Sequence, residues 1–99
     1  MKNKRNFTAL RRGKLEIYYD ILASIREEKI NSKTVKPTRV QHRSHMAYDK
    51  MLRYLSELAG KDLISKKPPI RITEKGDGFM SDFEKIKEQF DKMTFTYLS

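Results

Sequence analysis

The sequence predicts a mainly α-helical fold with a small β-hairpin, a winged helix-turn-helix in outline, extended by a long C-terminal dimerisation helix. Three observations carry this expectation. Apolar residues recur at helical spacing in three separate stretches, two short β-rich runs flank a pair of prolines, and 99 residues allow one thin core and little more. The division expected along the chain is a basic arm over residues 1–12, a helix-turn-helix domain over 13–73 and a dimerisation helix over 74–99.

The first periodic stretch runs from about Lys14 to Glu28. Leu15, Tyr18, Leu22 and Ile25 follow steps of three and four, and Ile17 with Ile21 widens the stripe, which predicts an amphipathic helix with one buried face. Asn31-Ser32 then reads as a turn, with a short extended piece around Val35. Pro37 suits the first turn of a helix, so a short one is expected over Pro37–Arg43, followed by a break at Ser44-His45. A longer helix is expected from Met46 to Gly60, with Tyr48, Met51, Leu55 and Leu58 on its apolar face and Met46, Asp49, Lys50, Arg53 and Glu57 opposite. Gly60 or Asp62 is able to end it in a left-handed conformation. Leu63–Lys66 and Ile70–Thr73 read as two short strands joined through Pro68-Pro69, since neither proline donates to a ladder. Helix, helix-turn-helix, hairpin is the element order of a winged helix.

Thr73 is a good N-cap for a final helix, although Gly76 and Gly78 weaken its first turn. Phe79, Phe83, Ile86, Phe90, Met93 and Tyr97 then alternate steps of four and three, a 3.5-residue seam. A helix of roughly 20 residues is about 30 Å long, more than one small domain readily covers. Dimerisation along the seam is therefore expected, with lengthwise packing on its own domain as the alternative.

Charge narrows the function. Lys plus Arg number 22 against 13 Asp plus Glu, a net +9, and the excess comes in blocks. Residues 1–14 carry six bases and no acid, and residues 29–53 carry seven bases against Asp49 alone. Residues 15–28 and 73–99 are net acidic. Two concentrated basic stretches, one ahead of and one within the middle segment, look like the electrostatic footprint of a polyanion-binding protein. A flexible basic tail plus a solvated face is the blander reading. The absence of cysteine excludes disulfides, thiolate nucleophiles, iron–sulfur clusters and Cys-based zinc sites. No apolar run is long enough to span a membrane and no signal peptide is visible, so a soluble cytoplasmic protein is expected. His42 and His45 lie at i, i+3, but with Asp49 the only nearby acid no metal site is expected. Ser44 has no visible nucleophile-activating partners and there is no Gly-rich phosphate loop. Neither an enzyme nor a cofactor is expected.

The sequence resembles the small archaeal winged helix-turn-helix DNA-binding proteins, most of all the basic chromatin-type members that dimerise through an antiparallel C-terminal coiled coil. The likeness spans residues 11 to about 93. It rests on Arg11-Arg12 with Leu15-Glu16-Ile17 and Asp20-Ile21-Leu22, on Thr38-Arg39-Val40, and on Tyr48, Met51, Tyr54-Leu55 and Leu58. Leu63-Ile64 and Thr73-Glu74-Lys75-Gly76 complete it. The resemblance implies a third helix in the major groove, a hairpin acting as wing, and antiparallel pairing of the last helices. Asp62 stands where the family usually has glycine, and the short, proline-capped wing departs from a deep minor-groove reader.

The expected partner is double-stranded DNA, bound by a homodimer associated with the nucleoid. Lys66, Lys67 and Arg71 on the wing, with Arg39 and Arg43 on the second helix, suit phosphate contacts, and the helix start near Thr38 offers backbone N–H groups. Lys50 and Arg53 are the expected base readers, and His45 suits phosphate or base. The arm is expected to follow the backbone or an adjacent groove, or to be disordered. The role expected is transcription regulation. Alternatives are a non-specific DNA-architectural protein, a winged-helix module that binds an acidic protein, and, more weakly, single-stranded nucleic-acid binding, because most aromatics lie on apolar stripes.

Overall fold

A computed structural model describes the backbone of residues 2–99 and the side chains from residue 13 onwards. The chain forms α1 (Lys2–Asn31), α2 (Pro37–Ser44), α3 (Tyr48–Gly60) and α4 (Glu74–Leu98). Helix α1 exceeds the predicted Lys14–Glu28 at both ends. Once its amphipathic part is nucleated, extension through Lys4, Arg5, Ala9 and Leu10 adds one hydrogen bond per residue without needing an apolar stripe. The side chains of the predicted basic arm, 1–12, lie outside the described residues.

Helix α1 is the central element, with α2 and α4 packed against it and α3 packed against α2. The core gathers Tyr18, Ile21, Leu22 and Ile25 of α1 with Val40 of α2, Met51, Leu55 and Leu58 of α3, Leu63-Ile64 beyond it, and Met80 of α4. Leu15 and Tyr48, expected on the buried stripes, are exposed. The two helices turn a narrower face inward than periodicity alone marks.

The turn between α2 and α3 has no glycine. His45 takes the left-handed conformation instead (φ 55°) and donates its backbone N–H to the Gln41 carbonyl. Asp62 does the same beyond α3 (φ 63°), and the Leu63 N–H returns 2.9 Å to the Leu58 carbonyl. Asp at this position thus performs the turn expected of it.

The predicted β-hairpin does not form. Among the described residues there is no strand, only one isolated antiparallel bridge between Ile64 and Ile72. The physical reason lies in the next rung. The Ser65 N–H reaches the Arg71 carbonyl (2.8 Å), but the Arg71 N–H goes to the Ser65 hydroxyl (3.0 Å), which itself donates to the Pro69 carbonyl (3.0 Å). A side chain closes the ladder where a backbone carbonyl would extend it, and two prolines lack the donors to continue. Residues 65–71 form a stapled loop.

Thr73 caps α4 as expected, its hydroxyl accepting from the Gly76 N–H at 3.0 Å. Gly76 is required rather than merely tolerated, because a Cβ there would lie 2.1 Å from the Leu63 carbonyl oxygen. This close approach lets α4 start against the end of α3.

Candidate nucleic-acid interface

Helix α3 buries Met51, Leu55 and Leu58, so its period turns Asp49, Lys50, Arg53 and Ser56 outward. Lys50 and Arg53 are exposed, and no acid engages either among the described residues. With Tyr54 and Glu57 they line a hollow of about 80 Å³. Leu52, which sequence reasoning did not single out, is 42% exposed on the flank of the same face. An apolar side chain beside outward-turned cations is a feature periodicity marks only as a mismatch.

The cations of α2 are placed differently. Glu28, at the end of the α1 stripe, is buried to 1% exposure. It accepts from Arg43 Nε at 2.7 Å and Arg39 Nε at 3.1 Å, with the Ser32 hydroxyl at 3.3 Å. Arg43's hydrogen bond, opposed by burial and reinforced by Arg39, holds the carboxyl below the usual range of 4.5. Arg39 and Arg43 therefore clamp α2 to α1. The Arg39 side chain is 60% exposed and that of Arg43 31%, so Arg39 keeps more of its side chain towards solvent. Glu28 continues the steps of Ile21 and Ile25 by three, a signal available in the sequence that its charge disguised.

A second polar link ties α1 to α3. The Tyr18 hydroxyl donates to Glu57 Oε1, and Lys14 Nζ lies 3.3 Å from the same oxygen. The Tyr18 bond is the main cause that lowers the Glu57 carboxyl, and burial together with Glu57 pushes the Tyr18 phenol up. One end of the α3 outer face is thus fixed to α1, while no such pair holds Lys50 or Arg53 among the described residues.

The other predicted residues lie on α2, in the turn and in the loop 65–71. Thr38 is exposed in the first turn of α2, which begins at Pro37 with no side-chain cap. His45 is exposed in the turn that leads into α3. Lys66 pairs with Asp62 at 3.0 Å, both well exposed. Lys67 and Arg71 are exposed on the stapled loop. Among the described residues no three His, Cys, Asp or Glu side chains converge as a metal site, and no helix is long and apolar enough to cross a membrane.

The predicted α4 seam splits in two. Phe79 and Phe83 are half-buried against α1, with Tyr19 stacked on Phe83 at 4.6 Å and Tyr18 edge-on to Phe79 at 6.3 Å. Met80 between them is fully buried and accepts from Arg26 Nη2 at 3.3 Å. Further along, Ile86, Phe90, Met93 and Tyr97 are all more than half exposed, as are Phe95 and Leu98.

Two helices joined by the short turn 45–47, the second turning basic residues outward and followed in the chain by a stapled loop, define a helix-turn-helix protein. The chain belongs to the winged helix-turn-helix family, whose model matches residues 11–91. That family is a DNA-binding one and typically non-enzymatic. No curated protein matches the chain in sequence.

Proposed function

We propose that this protein is a transcriptional regulator of the small, basic, archaeal type, binding double-stranded DNA as a nucleoid-associated homodimer. In this reading residues 13–73 are the DNA-binding unit, 74–99 the dimerisation element and 1–12 a basic arm. Helix α3 enters the major groove. The observation that carries the reading is the exposed pair Lys50 and Arg53 on its outward face, which no acid engages among the described residues; the turn before α3 and the loop after it add the exposed His45, Lys66, Lys67 and Arg71. Arginine pairs bidentately with guanine, and lysine on phosphate releases counterions. Arg39 and Thr38 suit phosphate from the start of α2, with Arg43 held further in by Glu28. Leu52 suits the one apolar mark in the groove, the thymine methyl.

The exposed half of the α4 seam supports homodimerisation, because Ile86, Met93 and Tyr97 leave apolar surface that a second copy would cover. Sedimentation equilibrium of wild type against Ile86→Lys tests this: a dimer that the variant converts to monomer supports it, and a wild-type monomer at high concentration overturns it.

The test of DNA binding is an anisotropy titration of a random duplex of about 30 base pairs over a salt series, with Arg53→Ala beside wild type. A steep salt slope and weaker binding by the variant are expected. A flat slope would move the assignment to a protein-binding winged helix. A steep slope with no preference in a subsequent operator selection would make the protein architectural.

A further inference from the structure

The loop 65–71 does more than present cations, because its far end forms one wall of a groove against α1. The groove has a volume of about 340 Å³, at the low end of small-molecule sites (roughly 300–1,000 Å³). Ile25 and Ile30 of α1 face Ile70 and Ile72 across it, and its other lining residues are Arg26, Lys29 and Arg71. Four isoleucines and three cations line it, with no carboxylate among them. Arg26 is engaged elsewhere, at Met80 Sδ (3.3 Å) and Glu84 (3.5 Å). Among the described residues Lys29 makes a single bond, 3.3 Å to the Lys33 carbonyl, and the Arg71 side chain has no acid partner. The Arg71 backbone, by contrast, is held on both sides by Ser65, which fixes the point from which its guanidinium swings. Ile30, 74% exposed, is the uncovered lip.

We propose that this groove binds a small apolar carboxylate, its chain along the isoleucines and its head between Lys29 and Arg71, and that occupancy weakens DNA binding. The charge balance selects the ligand: a neutral apolar molecule would leave two cations unpaired, and a compact anion would leave the isoleucines uncovered. The volume favours a short chain over a membrane lipid. The regulatory half rests on the DNA-binding reading above, in which Arg71 serves phosphate. A carboxylate on Arg71 neutralises it and turns it inward, so DNA and ligand compete for one side chain.

The test has two independent readouts. In the first, amide chemical shifts of the full chain are followed during titration with sodium octanoate, with octanol and with sodium acetate at matched ionic strength. Octanoate is expected to shift Ile25, Lys29, Ile30 and Ile70 to Ile72, and to bind about tenfold more tightly than octanol. Ile30→Asp, at an exposed position that leaves the core intact, and Lys29→Gln should each weaken it about fivefold or more. Equal binding of octanol, or shifts confined to the exposed stripe of α4, would overturn the site. In the second readout, duplex affinity is measured with saturating octanoate. A threefold or greater loss in wild type, absent in Ile30→Asp, is expected; an equal loss in both proteins, or none in either, would overturn the regulation. A protein that bound no duplex at all would defeat the DNA reading and with it the regulatory half, while the first readout would still decide the groove.

Discussion

Helices α2 and α3 are neighbours joined by three residues, and both display cations, yet those cations are placed in opposite ways. On α2, Arg39 and Arg43 converge on a carboxylate buried beneath them. On α3, Lys50 and Arg53 point outward and no acid engages them among the described residues. The same residue types are tied down within the protein in one helix and left facing solvent in the other. What separates the two is a single buried acid, Glu28, on the face of α1 that α2 covers. Counting basic residues would treat all four alike, whereas their partners divide them into a clamp on Glu28 and an outward pair.

The largest expected effect breaks the clamp. Arg39→Ala with Arg43→Ala strands the buried Glu28 carboxylate, and an uncompensated buried charge is strongly destabilising. Thermal unfolding should show a severe loss at neutral pH. The loss should shrink in acid, for a reason whose sign is definite. Glu28 in the native protein is held below 4.5, so its stabilisation is present above that pH and fades as pH falls through the depressed folded value. In the variant the buried carboxyl gains from being protonated, so acid narrows the gap. A deficit independent of pH would mean the arginines act by packing alone.

Next in size is the comparison within α4. Met80→Ala, at the fully buried position between Phe79 and Phe83, should cost about 2–5 kcal/mol in urea unfolding. Met93→Ala, half exposed, should stay within about 0.5 kcal/mol for dilute protein while weakening self-association. Equal losses would show that the whole helix packs on its own domain.

Arg53→Ala should lose about 1–3 kcal/mol of duplex affinity at a preferred site with its melting temperature unchanged, the converse of the α2 pair. A drop in melting temperature would place Arg53 with the clamp. Smaller again is the role proposed for Leu52: replacing a contacted thymine by uracil should cost roughly 0.8 kcal/mol, the worth of one buried methyl, and Leu52→Ala should erase the difference. Smallest is Lys66→Ala. Its ion pair with Asp62 is exposed, so stability should change by less than about 1 kcal/mol, and the salt slope of DNA binding should fall by about one if the loop meets a phosphate.

Much of this fold is legible along the chain because the signals are local. Thr73 as cap, Pro37 as first-turn residue and Asp62 as left-handed stop each act within four residues, and each is found where expected. The hairpin was misread for an equally local reason of a different kind. Leu63-Ile64 and Ile70–Ile72 have strand character, but the Ser65 hydroxyl outcompetes a backbone carbonyl for the Arg71 N–H. β-propensity does not register a competitor on a side chain. At the candidate interface, the outward placement of Lys50 and Arg53 follows from the period of α3, whereas the engagement of Arg39 and Arg43 does not follow from that of α2.

By itself, then, the sequence determined that four helices form and where α2 and α4 start, which residues share a helix face, and that a basic middle segment lies between acidic ones. Those properties depend on steps of three or four residues and on composition. Only the tertiary structure decided which cations are neutralised, how far along α4 the domain covers its apolar seam, and that Ile30 and Ile70 share a groove with Lys29 and Arg71. Each of these joins groups 11 to 65 residues apart, from Arg39 on Glu28 to Tyr19 on Glu84. Such pairings depend on how helices cross, and a crossing is set by the whole packed core rather than by any stretch of it.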